Sequence, residues 1–346
     1  MIFLRLPLIL SEGVGDSLYQ LSLFPHKKWS RWGIGFNLFY QAGSSHSGNY
    51  RRSLCELIHE IPYFRYLDRP PTLREKKLDN RLKRYFSLST YWRFDVAQKS
   101  RAHQYLDRLK YRLGVRPYYP VSFSSHADDV QFDSDQIHLA FHTHQDGVPF
   151  KQWGVDRWCE LFNAIERELG DTIQIWVLEY NHEVRAYFRI RFPKIQFLNE
   201  LYQEFPSQCR LLQKMDLVVG IDSWFKFITA WSGTKTLVVV PSHEGGGYWG
   251  DPTADQLSRS VYDGLLDCPS FTVIGIEEIA QGRFKYSIPV LSQLDPSFIF
   301  EKIKNIINHR FTTFHDRALL TPGLSAHFPP TRDRSHNDPT PERPPS

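Results

Sequence analysis

Cysteine is scarce and scattered. Cys55, Cys159, Cys209 and Cys268 are the only four in 346 residues and form no CxxC pair. That distribution argues against a zinc site and against a dense disulfide framework, and it suits a reducing compartment. Long apolar runs are missing too. No segment reaches the roughly 18 to 20 apolar residues of a membrane span, so any membrane contact is expected to be peripheral. The apolar start, Met1 to Leu10, is interrupted by Arg5 and Pro7 and lacks a small-residue cleavage site, so it reads as a first buried strand and not as a signal peptide. Net charge is small, 42 Lys/Arg against 38 Asp/Glu giving +4. There is no HExxH or comparable histidine spacing, no RNP or helix-turn-helix pattern, and no internal repeat of fixed period. These absences leave no expectation of a metal, a cofactor or a nucleic-acid partner.

Core-forming material, by contrast, is plentiful. The chain is 41% hydrophobic and 15% aromatic over a length that suits two domains of ordinary size. Its charge is unevenly placed: from Arg51 to Pro117 there are 17 Lys/Arg against 7 Asp/Glu. Such a block is either an exposed helical face or a surface that attracts an anionic partner.

The organising stretch is Met215 to Pro241. A β-branched apolar run (Leu217, Val218, Val219, Ile221) ends at Asp222-Ser223, where Asp222 is a candidate helix N-cap. Apolar residues at helical spacing follow from Trp224 to Trp231, Gly233 supplies a stop, and Thr236 to Val240 reads as a second buried strand. This is a βαβ unit. Its helix starts at the carboxyl end of a strand, where open α/β sheets bind ligands and where free backbone amides favour an anionic group such as a phosphate.

The same alternation runs through the rest of the chain. Strand Ile2 to Leu10 leads through Gly13 and Gly15 into a helix that Asp16 or Ser17 can cap. Strand Phe36 to Gln41, helix Leu54 to His59, strand Phe64 to Leu67, a charged helical stretch Arg74 to Gly114 and strand Tyr118 to Phe123 follow, with a polar hinge from Ser124 to Asp135. The second block has strand Ile137 to Phe141, a polar loop to Lys151, helix Val155 to Leu169, strand Ile173 to Leu178, helix Glu183 to Arg191, strand Ile195 to Leu198 and helix Pro206 to Lys214. Thr272 to Ile274 reads as a strand and Pro296 to Arg310 as a terminal helix. Two successive alternating blocks predict an α/β chain of two facing doubly wound domains, residues 1–130 and 131–318. The Pro-rich, polar residues 319–346 read as a disordered tail.

Three features taken in order carry a family resemblance: the Gly15-Asp16 turn after the first strand, Lys151-x-Trp153 leading to Trp158, and Asp222-Ser223 in a unit that ends Gly233-x-x-Thr236 before a Val-rich strand. On these the chain resembles the heptosyltransferase-type enzymes of glycosyltransferase family 9. The resemblance is best from Lys151 to Gly250, weaker but ordered from Met1 to about Pro70, and absent in the tail. It implies a GT-B architecture, with two Rossmann-like domains across a deep cleft, the first binding the acceptor and the second the nucleotide sugar. It further implies metal-independent, inverting transfer of a sugar from a nucleotide diphosphate donor, ADP-heptose or similar, to a hydroxyl of lipopolysaccharide core or a related anionic glycan or glycolipid. The work would be done at the cytoplasmic face of an inner membrane, with peripheral contact.

The resemblance and the chemistry together assign tasks. An acceptor hydroxyl is a poor nucleophile, so Asp16 would serve as general base. Charge gathering on the departing diphosphate would be met by Lys151 and by the helix amides after Asp222. Asp222 and Ser223 match the family's pair beside the diphosphate and sugar, Thr143 and His144 fall near the phosphates, and Glu183 matches the position of a ribose-binding Glu. Plain structural alternatives stand beside these: Asp16 and Asp222 as helix caps, Lys151 as a surface lysine, Trp153 and Trp158 as packing residues. The chain departs from the family in having Trp224 where a Gly follows the pair, Phe227 where a donor-binding His stands, and a longer glycine-rich loop, His243 to Gly250. These departures imply a different nucleotide sugar, a repositioned donor contact from Lys226, or a catalytically impaired relative that binds a sugar nucleotide or a partner. Asp133-Ser-Asp135 has the DxD form of metal-dependent transferases but precedes its strand, so it is given no metal role.

Overall fold

The computed structural model describes residues 2–10, 14–22, 26–40, 48–85, 132, 135–143, 152–240, 270–279, 283–286 and 291–318. Two parallel sheets dominate. In the first, β1 (Leu4–Leu10) pairs with β2 (Ile34–Tyr40), and β2 pairs with β3 (Phe64–Tyr66). Helices α1 (Val14–Ser22), α2 (His26–Arg31) and α3 (Gly48–His59) make the crossovers. Helix α4 (Leu73–Tyr85) then returns to β1, where the buried Asp79 carboxylate accepts from the Ile9 amide at 3.0 Å.

The second sheet contains β4 (Ile137–His142), β5 (Ile173–Leu178), β6 (Gln196–Phe197), β7 (Leu217–Ile221), β8 (Thr236–Val239) and β9 (Phe271–Ile274). They lie in the order β6-β5-β4-β7-β8-β9, every neighbouring pair parallel. Every residue of β4, β7 and β8 is buried, as expected of parallel strands covered on both faces. The crossovers are α5 (Val155–Leu169), α6 (His182–Arg191), the single turn α7 (Leu198–Leu201), α8 (Phe205–Lys214) and α9 (Phe225–Ser232). A hairpin of β10 (Ile276–Ile279) and β11 (Arg283–Tyr286) and the long α10 (Pro296–Ala318) follow.

Residues 1–301 form one compact unit, and a second, 302–346, begins inside α10. Within the first unit the two sheets share a core. Leu8, Leu18 and Leu54 belong to the same buried cluster as Phe205, Leu212, Trp224 and Val238. Helix α1 packs on α9 and α3 on α8. The Trp231 indole N–H donates to the Ser22 hydroxyl at 2.8 Å, and that hydroxyl donates back to the Leu18 carbonyl at 2.7 Å. Arg210 grips both oxygens of the Glu60 carboxylate at 2.5 and 2.6 Å. Both contacts come from the one nitrogen Nη1, and this charge-assisted pair ties α8 to the end of α3.

The expected elements are mostly found, with instructive exceptions. Helix α5 spans Val155–Leu169, as the apolar spacing predicts, and Gly233 ends α9 in a left-handed conformation at φ 75°. The expected strand Ile195 to Leu198 shrinks to two residues because Leu198 turns into α7. Helix α1 begins at Val14, so Asp16 lies inside its first turn instead of capping it. Strand Tyr118 to Phe123, most of the Ser124 to Asp135 hinge, the charged stretch beyond Tyr85 and the 319–346 tail lie outside the described residues.

The start of α4 is held by a reciprocal capping box. The Glu75 amide donates to the Thr72 hydroxyl at 3.3 Å, while the Glu75 carboxylate accepts from the Thr72 amide at 2.7 Å and from both Arg69 terminal nitrogens at 2.6 and 2.9 Å. The Arg69 guanidinium, and then these Thr72 bonds, lower the Glu75 pKa to about 2 against the opposing effect of burial. The folded value is below the unfolded one, so the stabilisation is complete above the ordinary Glu range, about 4.3, and fades as pH falls from there toward 2. Glu75→Gln is expected to lower the melting temperature by about 1–2 °C near neutral pH. That difference should narrow in thermal melts taken at successively lower pH.

Candidate active site

Sheet order places the site. The chain leaves β4 to one side for β5 and β6 and to the other for β7, β8 and β9, so the topological switch falls between β4 and β7. A crevice opens outside the carboxyl ends of such a pair. His142 at the end of β4 pairs in register with Gly220 of β7. Thr143 and the Asp222-Ser223 turn therefore emerge side by side, at about the 4.8 Å spacing of neighbouring strands.

Gly220 is required by packing at this point. A Cβ there would stand 2.8 Å from the Phe225 ring and 2.9 Å from the His142 Cβ. With no side chain in the way, Phe225 folds back across β7 and stacks on the His142 ring at 5.2 Å. The buried His142 also meets Trp224 edge-on at 5.7 Å. These contacts fix the turn that carries Asp222 and Ser223 into α9.

Asp222 does not cap that helix. Trp224 occupies the N-cap position, and its side chain makes no capping hydrogen bond. The Asp222 carboxylate instead accepts from the Lys226 ammonium, one helical turn on, and the Asp222 amide continues the sheet by donating to the Val239 carbonyl at 3.0 Å. Lys226 is only 5% exposed, and its ammonium also lies 5.0 Å over the Phe227 ring. Ser223 is half-buried beside the pair. The buried Lys226 ammonium fixes the direction of the Asp222 carboxylate, at the turn where the amino end of α9 favours negative charge.

Across the crevice the ends of β4 and β5 are joined by a residue that the sequence reading passed over. Glu179, 3% exposed, follows β5 and accepts from the Thr143 hydroxyl at 2.6 Å and from the Asn181 amide at 2.9 Å. Its backbone carbonyl accepts from Arg185 and Asn199, each at 2.9 Å. Glu183, by contrast, is exposed on the first turn of α6, and its amide donates to Asn181, the side chain that caps this helix. The structure therefore brings Thr143 to Glu179 and leaves the Glu183 side chain exposed at the start of α6. A lone carboxylate ending an otherwise apolar strand was the available signal.

The first sheet reaches the same place through α1. A Cβ on Gly15 would lie 3.6 to 3.8 Å from the backbone and Cβ of Trp224, so the first turn of α1 rests on the residue just beyond Asp222-Ser223. Position 16 is thus beside the β7–α9 turn. His144 and Lys151 lie outside the described residues, as does the Asp16 side chain. Just downstream in sequence, Trp153 and Trp158 are both buried and meet edge to face at 4.7 Å, and the Trp153 N–H donates to the Leu294 carbonyl at 3.0 Å. Both are packing residues. Asp135 is exposed at the amino end of β4, the opposite end from the crevice.

No protein-family model matches the chain, and no curated protein matches it in sequence. Solved structures do. The Escherichia coli ADP-heptose lipopolysaccharide heptosyltransferase II superposes with a TM-score of 0.54 at 14% identity, over 88% of this chain and 99% of that one. E. coli heptosyltransferase WaaC bound to ADP-2-deoxy-2-fluoro heptose gives 0.48 at 13% identity, over 87% and 99%, and a family 9 glycosyl transferase from Veillonella parvula gives 0.47 at 11%, over 89% and 98%. At these identities the likeness is one of fold. The chain has the α/β GT-B fold of heptosyltransferase II over 88% of its length.

The buried pair gives a direct test of the site's electrostatics. Lys226→Met removes the buried cation from the Asp222 carboxylate and is expected to cost about 3–5 kcal/mol in urea unfolding. Asp222→Asn combined with Lys226→Met should recover most of that loss. An additive double variant would show that the two side chains are not coupled.

Proposed function

We propose that the chain is a glycosyltransferase that moves a heptose-like sugar from a nucleotide diphosphate donor to a hydroxyl of lipopolysaccharide core or a related glycan, with inversion and without a metal. One observation carries the reading: the first turn of α1, at Gly15 and Asp16, meets the Asp222-Ser223 turn at the switch point of a parallel sheet. Heptosyltransferase II, which shares this fold, is by name an ADP-heptose transferase, and this favours an adenosine diphosphate donor here. Residues 1–130 would form the acceptor lobe and 131–318 the donor lobe.

In this reading the Asp16 carboxylate takes the proton of the acceptor hydroxyl. The hydroxyl oxygen bonds to the anomeric carbon, and the carbon–oxygen bond to the diphosphate breaks with its electron pair passing to phosphate. Lys151, Ser223, His144 and the amides of α9 meet the charge that develops there. Asp222, aimed by Lys226, faces the sugar, and Thr143 closes the phosphate side together with Glu179. Glu183, exposed on the first turn of α6 just beyond the carboxyl end of β5, would take the ribose. The acceptor would be anionic and membrane-borne, with the enzyme peripheral at the cytoplasmic face.

A second reading is favoured by one feature. Phe227 is buried where the family carries a donor-binding His, and the neighbouring Lys226 is engaged by Asp222. A chain so altered could bind a sugar nucleotide without turning it over. Calorimetric titration with ADP, UDP and GDP and their sugars separates the two. The transferase reading expects one nucleotide to bind, binding to be lost in Lys151→Ala, and Asp16→Asn to bind but not transfer. Binding without turnover in the unmodified chain supports the second reading, and no nucleotide binding at all overturns both.

A further inference from the structure

We propose that the amino-terminal edge of the first sheet is a docking surface for an anionic lipid membrane. This extends the reading above, from which it takes the membrane-borne acceptor. The surface is built from Phe3, Leu4 and Trp32, which are 80%, 52% and 62% exposed. They form one patch. The amides of Phe3 and Leu4 both donate to the Gly33 carbonyl, at 2.8 and 3.0 Å, so the start of β1 lies directly against Trp32-Gly33.

Helix α2 explains why these groups face outward. Trp29 turns inward and stacks on Phe36 of β2 at 5.8 Å with the rings nearly parallel, which fixes the helix by one side. Lys28 and Arg31 are left exposed, and the Lys28 ammonium lies 5.3 Å over the Trp32 ring. The helix, HKKWSR, contains three Lys/Arg and no acid. An exposed Trp and Phe set among cations is the composition that settles at a lipid headgroup layer, with rings among the headgroups and cations on anionic lipid.

Charge also selects the occupant. A second copy joined through a two-fold axis would press the same basic surface against itself. A negatively charged lipid surface meets it with opposite charge. The patch lies at the start of β1 and the candidate crevice beyond its carboxyl end, seven residues and therefore about 20 Å away. Docking leaves the crevice uncovered, which suits an acceptor hydroxyl carried on a glycan that projects from the lipid.

The test is flotation of the full chain with vesicles of phosphatidylethanolamine mixed with phosphatidylglycerol, against vesicles of phosphatidylcholine alone. Binding is expected to the anionic vesicles only. It should fall by about tenfold or more in Phe3→Ser/Trp32→Ser, and weaken in Lys28→Glu/Arg31→Glu and with added salt, with melting temperatures unchanged. The proposal is overturned by absence of binding to the anionic vesicles or by equal binding to both kinds. It is also overturned by binding that ignores Phe3→Ser/Trp32→Ser, or by a dimer that Trp32→Ser dissolves without effect on flotation. Nucleotide binding, measured in the same variants, should be unchanged; its failure would count against the transferase reading alone.

Discussion

Everything proposed for this chain depends on how closely α1 approaches the β7–α9 turn. Gly15 has no side chain, and its backbone rests at van der Waals distance from Trp224. Around that point the two sheets share one apolar core, fastened by the buried Trp231–Ser22 hydrogen bond and by Arg210 on Glu60. Burial of this kind is the main favourable term in folding, and here it also sets the position of the first sheet's leading helix relative to the second sheet's crevice. Packing and site geometry have the same cause.

Much of the fold could be read from the sequence because its elements are locally determined. The β-branched run of β7, the apolar stripe of α5 and the left-handed stop at Gly233 each carry their own signal. Less of the site was legible. Asp222 has the look of a cap at the end of a strand, yet the lysine four residues on is a stronger partner once α9 forms and buries it. Glu179 was passed over because one carboxylate after an apolar strand resembles any loop residue; only strand pairing shows that Thr143 stands opposite. The Gly15–Trp224 approach joins residues 209 positions apart, a separation over which no periodicity or spacing argues.

The departures at positions 224 and 227 fit one physical picture. Trp224 fills the space between His142 and Phe205, where it meets their rings at 5.7 and 4.8 Å. Phe227 lies under the Lys226 ammonium, which in turn holds the Asp222 carboxylate. An aromatic face and a buried ion pair thus stand together at this turn, and its polarity is concentrated on the Asp222–Lys226 pair.

The crevice at the β4–β7 switch as a diphosphate site is tested most directly by a crystal structure of the chain with a bound nucleoside diphosphate. The phosphates are expected at the carboxyl ends of β4 and β7, against the first amides of α9 and beside Ser223, with the Asp16 carboxylate facing them from α1. A nucleotide bound away from these strand ends, or an Asp16 side chain turned from the phosphates, would contradict it.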